Sequence, residues 1–392
     1  MNAKRYTRLV LLLTGSAVLA VAVLNLLVDP LGAYPQWDLR TFAPERDGLF
    51  HRTARAEQAR RGTWDMAILG TSRPKIGLPS VHPAYGTNEV CNLSVNAALM
   101  SETAVMFDYT LQHNPLRRVL LGLDFAMFRK TRPGQLGFEE SRFNANLPLF
   151  DYHAKNLLGA SAINSSTEFI INRLTHTPLP EGQRRGFYIH PLKPGAIQRA
   201  VIDKQFRNLA LGEANTRSQT NELQSLRHFL AVAREHHVEV SLAINPIHAL
   251  QLELMQAGQN WDRFEQWKRD VVQIVAEETE GHATLWDFTG YTGVTAEEVP
   301  PAGSTNRMKY YFETSHYTPA TGTLMLDRIY GISTNSFGNR LTPANLESHL
   351  AALRADRETY VALHAADVEW AHRISRQMQA GRRLSDGTGE EE

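Results

Sequence analysis

Cysteine is almost missing from this chain. Of 392 residues only Cys91 carries a thiol, so neither an intramolecular disulfide framework nor a cysteine-based zinc site holds the fold together. A surplus of charge of one sign is missing too. Lys plus Arg and Asp plus Glu each number 41, whereas a protein that neutralises nucleic-acid phosphates needs a basic excess; no nucleic-acid partner is expected. The chain has no glycine-rich phosphate cradle, no His-Glu-x-x-His helix and no fixed-period repeat, and no cofactor or metal ion is expected. What is present is 43% hydrophobic and 21% charged residues, enough apolar material for a large buried core and too much for whole-chain disorder.

Residues 9–28 contain no charge, and 20 residues of helix cross the roughly 30 Å hydrocarbon layer of a bilayer. Lys4, Arg5 and Arg8 precede the run, and Asp29 and Pro30 end it. The positive-inside rule then keeps residues 1–8 in the cytoplasm and sends the rest across, which predicts a single-pass inner-membrane protein with a periplasmic globular domain. A cleaved signal peptide is the competing reading, because Ala20 and Ala22 form a small-x-small pattern, although the apolar run continues beyond them.

Residues 29–62 read as a juxtamembrane connector with an Arg-rich helix around 52–61. Short, continuous apolar runs follow at 66–69, 90–95, 119–123, 238–244 and 284–288. Such runs fit strands covered on both faces, as in a parallel sheet. Helical stretches alternate with them at 96–112, 220–237, 261–279 and 319–330, which predicts an α/β, doubly wound, flavodoxin-like three-layer domain over residues 63–340. About 90 residues separate the third strand from the next helix, far more than a usual connection. The segment 130–217, including 142–150 and 187–207, is therefore read as an insertion that caps or lines a site. Residues 341–392 read as a helical extension, to about Gln379, with a disordered tail from Gly381.

Two stretches carry candidate chemistry. The first strand runs straight into Gly70-Thr71-Ser72-Arg73-Pro74, which presents Ser72 at the carboxyl edge of the sheet, where open α/β sheets bind ligands. A serine there is a nucleophile if a base takes its proton, and a helix N-cap otherwise. Far along the chain, Glu313-Thr314-Ser315-His316-Tyr317 precedes the last helix of the sheet domain. Three-residue spacing on a tight loop lets Glu313 orient His316 and stabilise its protonated form. Thr318 and Pro319 suit the first positions of that helix.

With Asn92-Leu93-Ser94-Val95-Asn96-Ala97-Ala98 after the second strand, Gly122-Leu123-Asp124-Phe125 after the third and Asp29-Pro30-Leu31-Gly32 after the apolar run, the chain resembles the SGNH/GDSL hydrolase superfamily over roughly residues 29–331. More narrowly, it is similar to the membrane-anchored extracytoplasmic branch that includes alginate O-acetyltransferase-like proteins and the D-alanyl transfer protein of teichoic acids. The resemblance implies Ser72 as nucleophile, its N–H and that of Ala97 as oxyanion donors, and His316 and Glu313 as base and orienting acid.

Three residues depart from the family pattern. Glu313 stands in place of Asp. Ala97 stands in place of Gly, which matters if that position needs a positive φ. Asp124 replaces a neutral amide, and an ionised carboxylate cannot donate to an oxyanion; Asn92 and Asn96 are candidate replacements, and Arg73 is placed to neutralise Asp124. His248, after the fourth strand, reads as a structural residue or a substrate contact. Arg184, Arg185, Lys193 and Arg199 fit a solvated face or an anionic polysaccharide, and Trp37, Trp261, Trp267 and Trp286 fit the core or sugar stacking. The resemblance implies a serine esterase or O-acyl(acetyl)transferase acting on an exported cell-envelope polysaccharide or other acylated glycan, beside a membrane O-acyltransferase or export machinery. The alternative is a non-catalytic, carbohydrate-binding scaffold of such an assembly.

Overall fold

The computed structural model describes residues 2–34, 51–128, 137–175, 198–213 and 220–387. Along the chain run α1 (Ala3–Val28), α2 (His51–Arg61), β1 (Met66–Leu69), α3 (Ser72–Gly77), β2 (Val90–Asn92), α4 (Met100–His113), β3 (Arg118–Leu123), α5 (Leu149–Leu158) and α6 (Ala160–Thr175). They are followed by α7 (Gln198–Glu213), α8 (Thr220–Glu235), β4 (Glu239–Ile244), α9 (Ala249–Ala257), α10 (Trp261–Thr279) and β5 (Ala283–Asp287). The chain closes with α11 (Pro319–Ile329), β6 (Asn339–Leu341), α12 (Leu346–Leu363) and α13 (Ala365–Gly387).

The chain forms two compact units. One comprises residues 1–63, 109–114 and 132–186, the other 64–108, 115–131 and 187–392. The first holds α1, which is long and apolar enough to cross a membrane by length and composition. Its last turn is tied into the unit: Asn25 Nδ2 donates to Leu157 O at 2.8 Å, and Ser166 Oγ donates to Asn25 Oδ1 at 2.6 Å. Asp29, at φ 44°, then accepts from the N–H groups of Ala33 and Tyr34 at 2.7 and 2.9 Å. In α2, buried Glu57 accepts from Arg60, Arg61 and the hydroxyl of Tyr152.

The second unit contains the sheet, in the order β2-β1-β3-β4-β5-β6. The first five strands are parallel and β6 pairs antiparallel with β5. Strands β1 to β4 are buried along nearly their whole length, whereas β5 alternates; this is the pattern of a sheet covered on both faces and less so towards its edge. Helices α8 and α10 pack on each other and on β4 and β5. The order reverses between β1 and β3, and that switch point places the following loops around a crevice at the carboxyl ends of the strands.

The structure differs from the sequence reading at four places. The helix expected from residue 96 starts at Met100 because Ala97, at φ 52°, turns the chain first. Strand β6 escaped notice because Asn339 and Arg340 are exposed, so the segment carries no apolar run. The expected terminal helix is two helices broken at His364, and α13 runs to Gly387, past the expected start of a disordered tail. It packs on α7 and α9 within the sheet unit. The expected single insertion is also divided, with α5 and α6 in the first unit and α7 in the second.

One approach brings the two candidate stretches together. Helices α3 and α11 meet at Gly77 and Gly322, where a Cβ on Gly322 would overlap the Gly77 carbonyl and one on Gly77 would overlap the ring of Tyr317. Glycine at both positions lets the helix after Ser72 lie directly against the helix after His316.

Candidate active site

Gly70 follows β1 at φ 142°, and a Cβ there would sit 2.6 Å from Gly122 O. Only glycine permits that turn against β3. Thr71 is the N-cap of α3: its Oγ1 accepts from Arg73 N at 3.3 Å and donates to Asp124. Because Thr71 does the capping, Ser72 is released from it. Ser72 Oγ instead meets Nε2 of His316 at 2.7 Å.

His316 sits on a tight loop closed by an antiparallel bridge between Tyr311 and Tyr317. Phe312 N donates to His316 O at 2.9 Å and Thr318 N to Tyr310 O at 2.9 Å. At the loop's tip Nδ1 of His316 is hydrogen-bonded to Glu313 Oε1, while Oε2 accepts from Ser315 N at 2.6 Å. A carboxylate at Nδ1 assigns the proton to that nitrogen, leaving Nε2 as the acceptor for the Ser72 hydroxyl. Burial pushes the Glu313 carboxyl up, but His316, the Ser315 N–H and Gln205 outweigh it and hold the carboxyl below its usual range. Thr318 occupies the N-cap of α11, although its hydroxyl donates to Lys309 O and accepts from no N–H of the helix, and Pro319 follows at the first turn.

Arg73 ties the two stretches together. Its Nε and Nη2 donate to Ser315 O and Oγ, both at 2.9 Å, and Nη1 pairs with Asp124. Asp124 is buried and also accepts from Thr71 and, at 3.2 Å, from Asn245 Nδ2. Its charge is therefore met by a guanidinium and two neutral donors, which makes it a brace beneath the loops rather than an isolated anion facing a substrate. Asn92 is occupied as well: Nδ2 donates to Pro74 O and Leu78 O at 2.9 and 3.0 Å, and Oδ1 accepts from Ser94 N. That amide supports α3 and has no proton left for an oxyanion. Asn96 and Ala97 are exposed.

Beyond β2, Leu93 N donates to Ile68 O and Val95 N to Gly70 O at 2.8 and 3.0 Å. Ser72 and Ala97 thus each stand two residues past a paired position, on adjacent chains. The positive φ of Ala97 meets the condition under which the missing glycine matters, since the left-handed region costs an L-residue about 1–2 kcal/mol. Ala97→Gly is expected to stabilise the protein by about 0.5–1 kcal/mol, the glycine's extra chain entropy offsetting part of the relief. Urea titration checks this; an unchanged or lowered midpoint would mean that no strain is held there.

Two residues invisible in the sequence hold the loop from the far side, both on α7. Gln205 Oε1 accepts from Thr314 N and Oγ1 at 3.1 and 2.7 Å. Gln198 Nε2 donates to Tyr311 O and Phe312 O at 3.0 and 2.9 Å, and its Oε1 accepts from Met308 N at 2.9 Å. Their only signal was their place in a segment expected to line a site.

His248 is structural. Its Nδ1 accepts from Leu250 N at 3.2 Å, capping α9, and its Nε2 donates to Glu297 O at 2.7 Å. Its backbone N–H reaches Thr314 O. Burial pushes the imidazole down to about 4, against the opposing pull of Glu297 O and Asp367. A histidine with a depressed native value takes up its proton more readily when unfolded, so it contributes stability above about pH 6.5 that drains away as pH falls towards 4. The expected loss is about 1.4 kcal/mol per pH unit across that window. His248→Asn, which keeps a cap acceptor, should flatten this part of the stability curve; an identical slope would remove His248 as its cause.

The remaining candidates are spoken for or lie elsewhere. Arg199 pairs with Asp367 at 2.8 Å and covers the Trp370 ring. Trp261 and Trp267 are buried among aromatic neighbours, and Trp286 packs partly buried against the core. Trp37, Arg184, Arg185 and Lys193 lie outside the described residues. Among the described residues no group of three His, Cys, Asp or Glu side chains is placed to hold a metal ion. No protein-family model, curated protein or solved structure matches this chain.

Proposed function

We propose that this chain is a serine esterase or O-acyl(acetyl)transferase of the SGNH type, acting on an exported cell-envelope polysaccharide. The observation that carries the reading is the 2.7 Å contact between Ser72 Oγ and His316 Nε2, with Glu313 behind the imidazole. Serine is a weak nucleophile until a base takes its proton, and a carboxylate behind that base keeps the working tautomer and stabilises the imidazolium.

In the proposed reaction Ser72 Oγ bonds to an ester carbonyl carbon while its proton passes to His316 Nε2. The tetrahedral oxyanion is met by the N–H groups of Ser72 and Ala97, neither of which donates to an acceptor among the described residues. Collapse breaks the bond to the alcohol, which leaves with the proton from His316. The acyl group on Ser72 then passes to water or to a glycan hydroxyl, whose proton His316 takes, and Ser72 is regenerated with the second proton transfer. Because Asp124 is already neutralised, it does not oppose the developing oxyanion as a bare carboxylate would.

Helix α1, with Lys4, Arg5 and Arg8 in its first two turns, serves in this reading as the inner-membrane anchor that keeps the sheet unit on the periplasmic side. A membrane O-acyltransferase or the polysaccharide export machinery would be its neighbour there. The test is labelling of the full-length protein by a serine-directed fluorophosphonate. Wild type should be labelled and Ser72→Ala should not. Equal labelling of the two would overturn the reading and leave the carbohydrate-binding scaffold in its place.

A further inference from the structure

Asn25 acts as a depth gauge for the first compact unit. It stands four positions before Asp29, at the far end of the charge-free run, and at 1.5 Å per helical residue that is roughly 6 Å from where the run ends. Whatever bonds the Asn25 amide lies at the same level. Leu157 O of α5 does so at 2.8 Å, and Ser166 Oγ of α6 at 2.6 Å. Both helices also pack on α1, and all three belong to the one unit. With α1 spanning a bilayer, α5 and α6 come to the boundary where it emerges.

The side chains that these helices leave uncovered suit that level. No residue from Leu157 to Thr167 is charged. On α5, Phe150, Ala154 and Leu158 recur every four residues along one side. Phe150 is 81% exposed and Leu158 is exposed too, whereas Tyr152 and Asn156 are buried in the unit. On α6, Ala162, Ser165 and Ser166 are buried, while Ile163 and Leu174, three turns apart on another side, are exposed, Leu174 by 81%. Large apolar side chains gathered on the open sides of two helices mark a contact with another phase or molecule, and helices that lie in a membrane interface present such sides to the acyl chains. Exposed Lys155, two residues before Leu157, has the reach to place its ammonium among lipid phosphates.

We infer that α5 and α6 form a lipid-contact surface that seats in the headgroup and upper acyl region of the leaflet from which α1 emerges, with Phe150, Leu158, Ile163 and Leu174 inserted. The inference rests on the reading of α1 as an anchor and not on the chemistry of Ser72. A lone spanning helix fixes the height of the unit but leaves it free to tilt and turn, whereas two further helices in the interface fix its orientation. The level set by Asn25 favours lipid over a protein as the occupant, because it holds whether or not a partner is there.

The test places the full-length protein, one copy per disc, in phosphatidylcholine nanodiscs. Cys91 is fully buried and stays in place, with the unsubstituted chain as the labelling blank. An environment-sensitive fluorophore is attached in the single variants Phe150→Cys, Leu174→Cys and, at the middle of the charge-free run, Leu19→Cys; all three positions are exposed. The lipid carries a doxyl quencher either near the headgroup or near the end of the acyl chain. The Phe150 and Leu174 reporters should be quenched about two-fold more by the shallow label than by the deep one, the depth at which interfacial helices seat. The Leu19 reporter should show the reverse order. Quenching at Leu19 with none at Phe150 and Leu174 would overturn the surface and leave the anchor standing, and no quenching at Leu19 would overturn the anchor itself. Shielding of Phe150 and Leu174 that appears only in discs holding two copies, with no quenching by either lipid, would assign the face to a second copy of the chain and overturn the proposal.

Discussion

On the proposed catalytic reading, His316→Ala lowers ester turnover by about 10⁴-fold or more, and adding Ser72→Ala to it costs almost nothing further. The reason is that the two side chains act as one device. Without the imidazole, the Ser72 hydroxyl keeps its proton; without the hydroxyl, the imidazole has nothing to activate. Glu313→Gln tests the third member separately. The substitution preserves shape but offers Nδ1 an amide that can donate, which drives the ring proton to Nε2 and makes that nitrogen a donor towards Ser72. A drop of about 10⁴-fold in kcat with little change in KM is expected, because the wrong tautomer disables the base without altering the binding surface. Steady-state kinetics on p-nitrophenyl acetate decides it. If the losses from Ser72→Ala and His316→Ala multiplied, the two groups would be acting independently and the 2.7 Å contact would have no catalytic meaning.

The largest effect on stability is expected at Lys268→Met. Lys268 and Asp287 are both fully buried, and Nζ lies 2.6 Å from Oδ2. Thr289 accepts from Nζ at 2.8 Å and donates its own N–H and hydroxyl to Asp287 Oδ1, while His349 Nε2 reaches Oδ2 at 2.9 Å. Three elements are joined there: α10 supplies Lys268, β5 ends in Asp287 and α12 supplies His349. Burial pushes the Asp287 carboxyl up, but Lys268 and His349 outweigh it and hold the carboxyl far below the usual range. Removing the ammonium strands a buried carboxylate, and losing one partner of a buried pair costs about 3–5 kcal/mol. Replacing both partners, in Lys268→Met with Asp287→Leu, should recover much of that.

The sign of the pH dependence follows from the depressed carboxyl. The unfolded state binds this proton more readily than the native state, so the contribution is complete above about pH 4 and falls away below it. In Lys268→Met the stranded carboxylate gains a reason to protonate while folded, so the deficit against wild type should narrow as pH falls. Urea unfolding of both proteins from pH 7 to pH 4 measures this. A deficit under about 1 kcal/mol at neutral pH would mean that the pair contributes little beyond packing.

Much of this was legible in the residues themselves. The charge-free run before Asp29 is a helix, the short apolar runs are buried parallel strands, and α10 spans the very residues the sequence predicts. These features are local: continuous hydrophobicity dictates burial on both faces of a strand, and periodicity dictates one face of a helix. Where local signals were absent the reading stopped short. Strand β6 has no apolar run to announce it, and no glycine or proline marks the break at His364 between α12 and α13.

The candidate site divides in the same way. Sequence by itself determined that Ser72, His316 and Glu313 are residue types suited to nucleophile, base and carboxylate roles, and that Ser72 and His316 each sit next to a turn, because residue type and neighbouring caps are properties of a few consecutive positions. Only the tertiary structure decided that Thr71 takes the cap and frees Ser72, that Arg73 spends the charge of Asp124, and that Gln198 and Gln205 hold the His316 loop from α7. Each of those bonds except the Thr71 cap joins positions at least 51 residues apart. A side chain's choice among donors and acceptors at such separations is settled by distance in the folded chain, which no local pattern encodes.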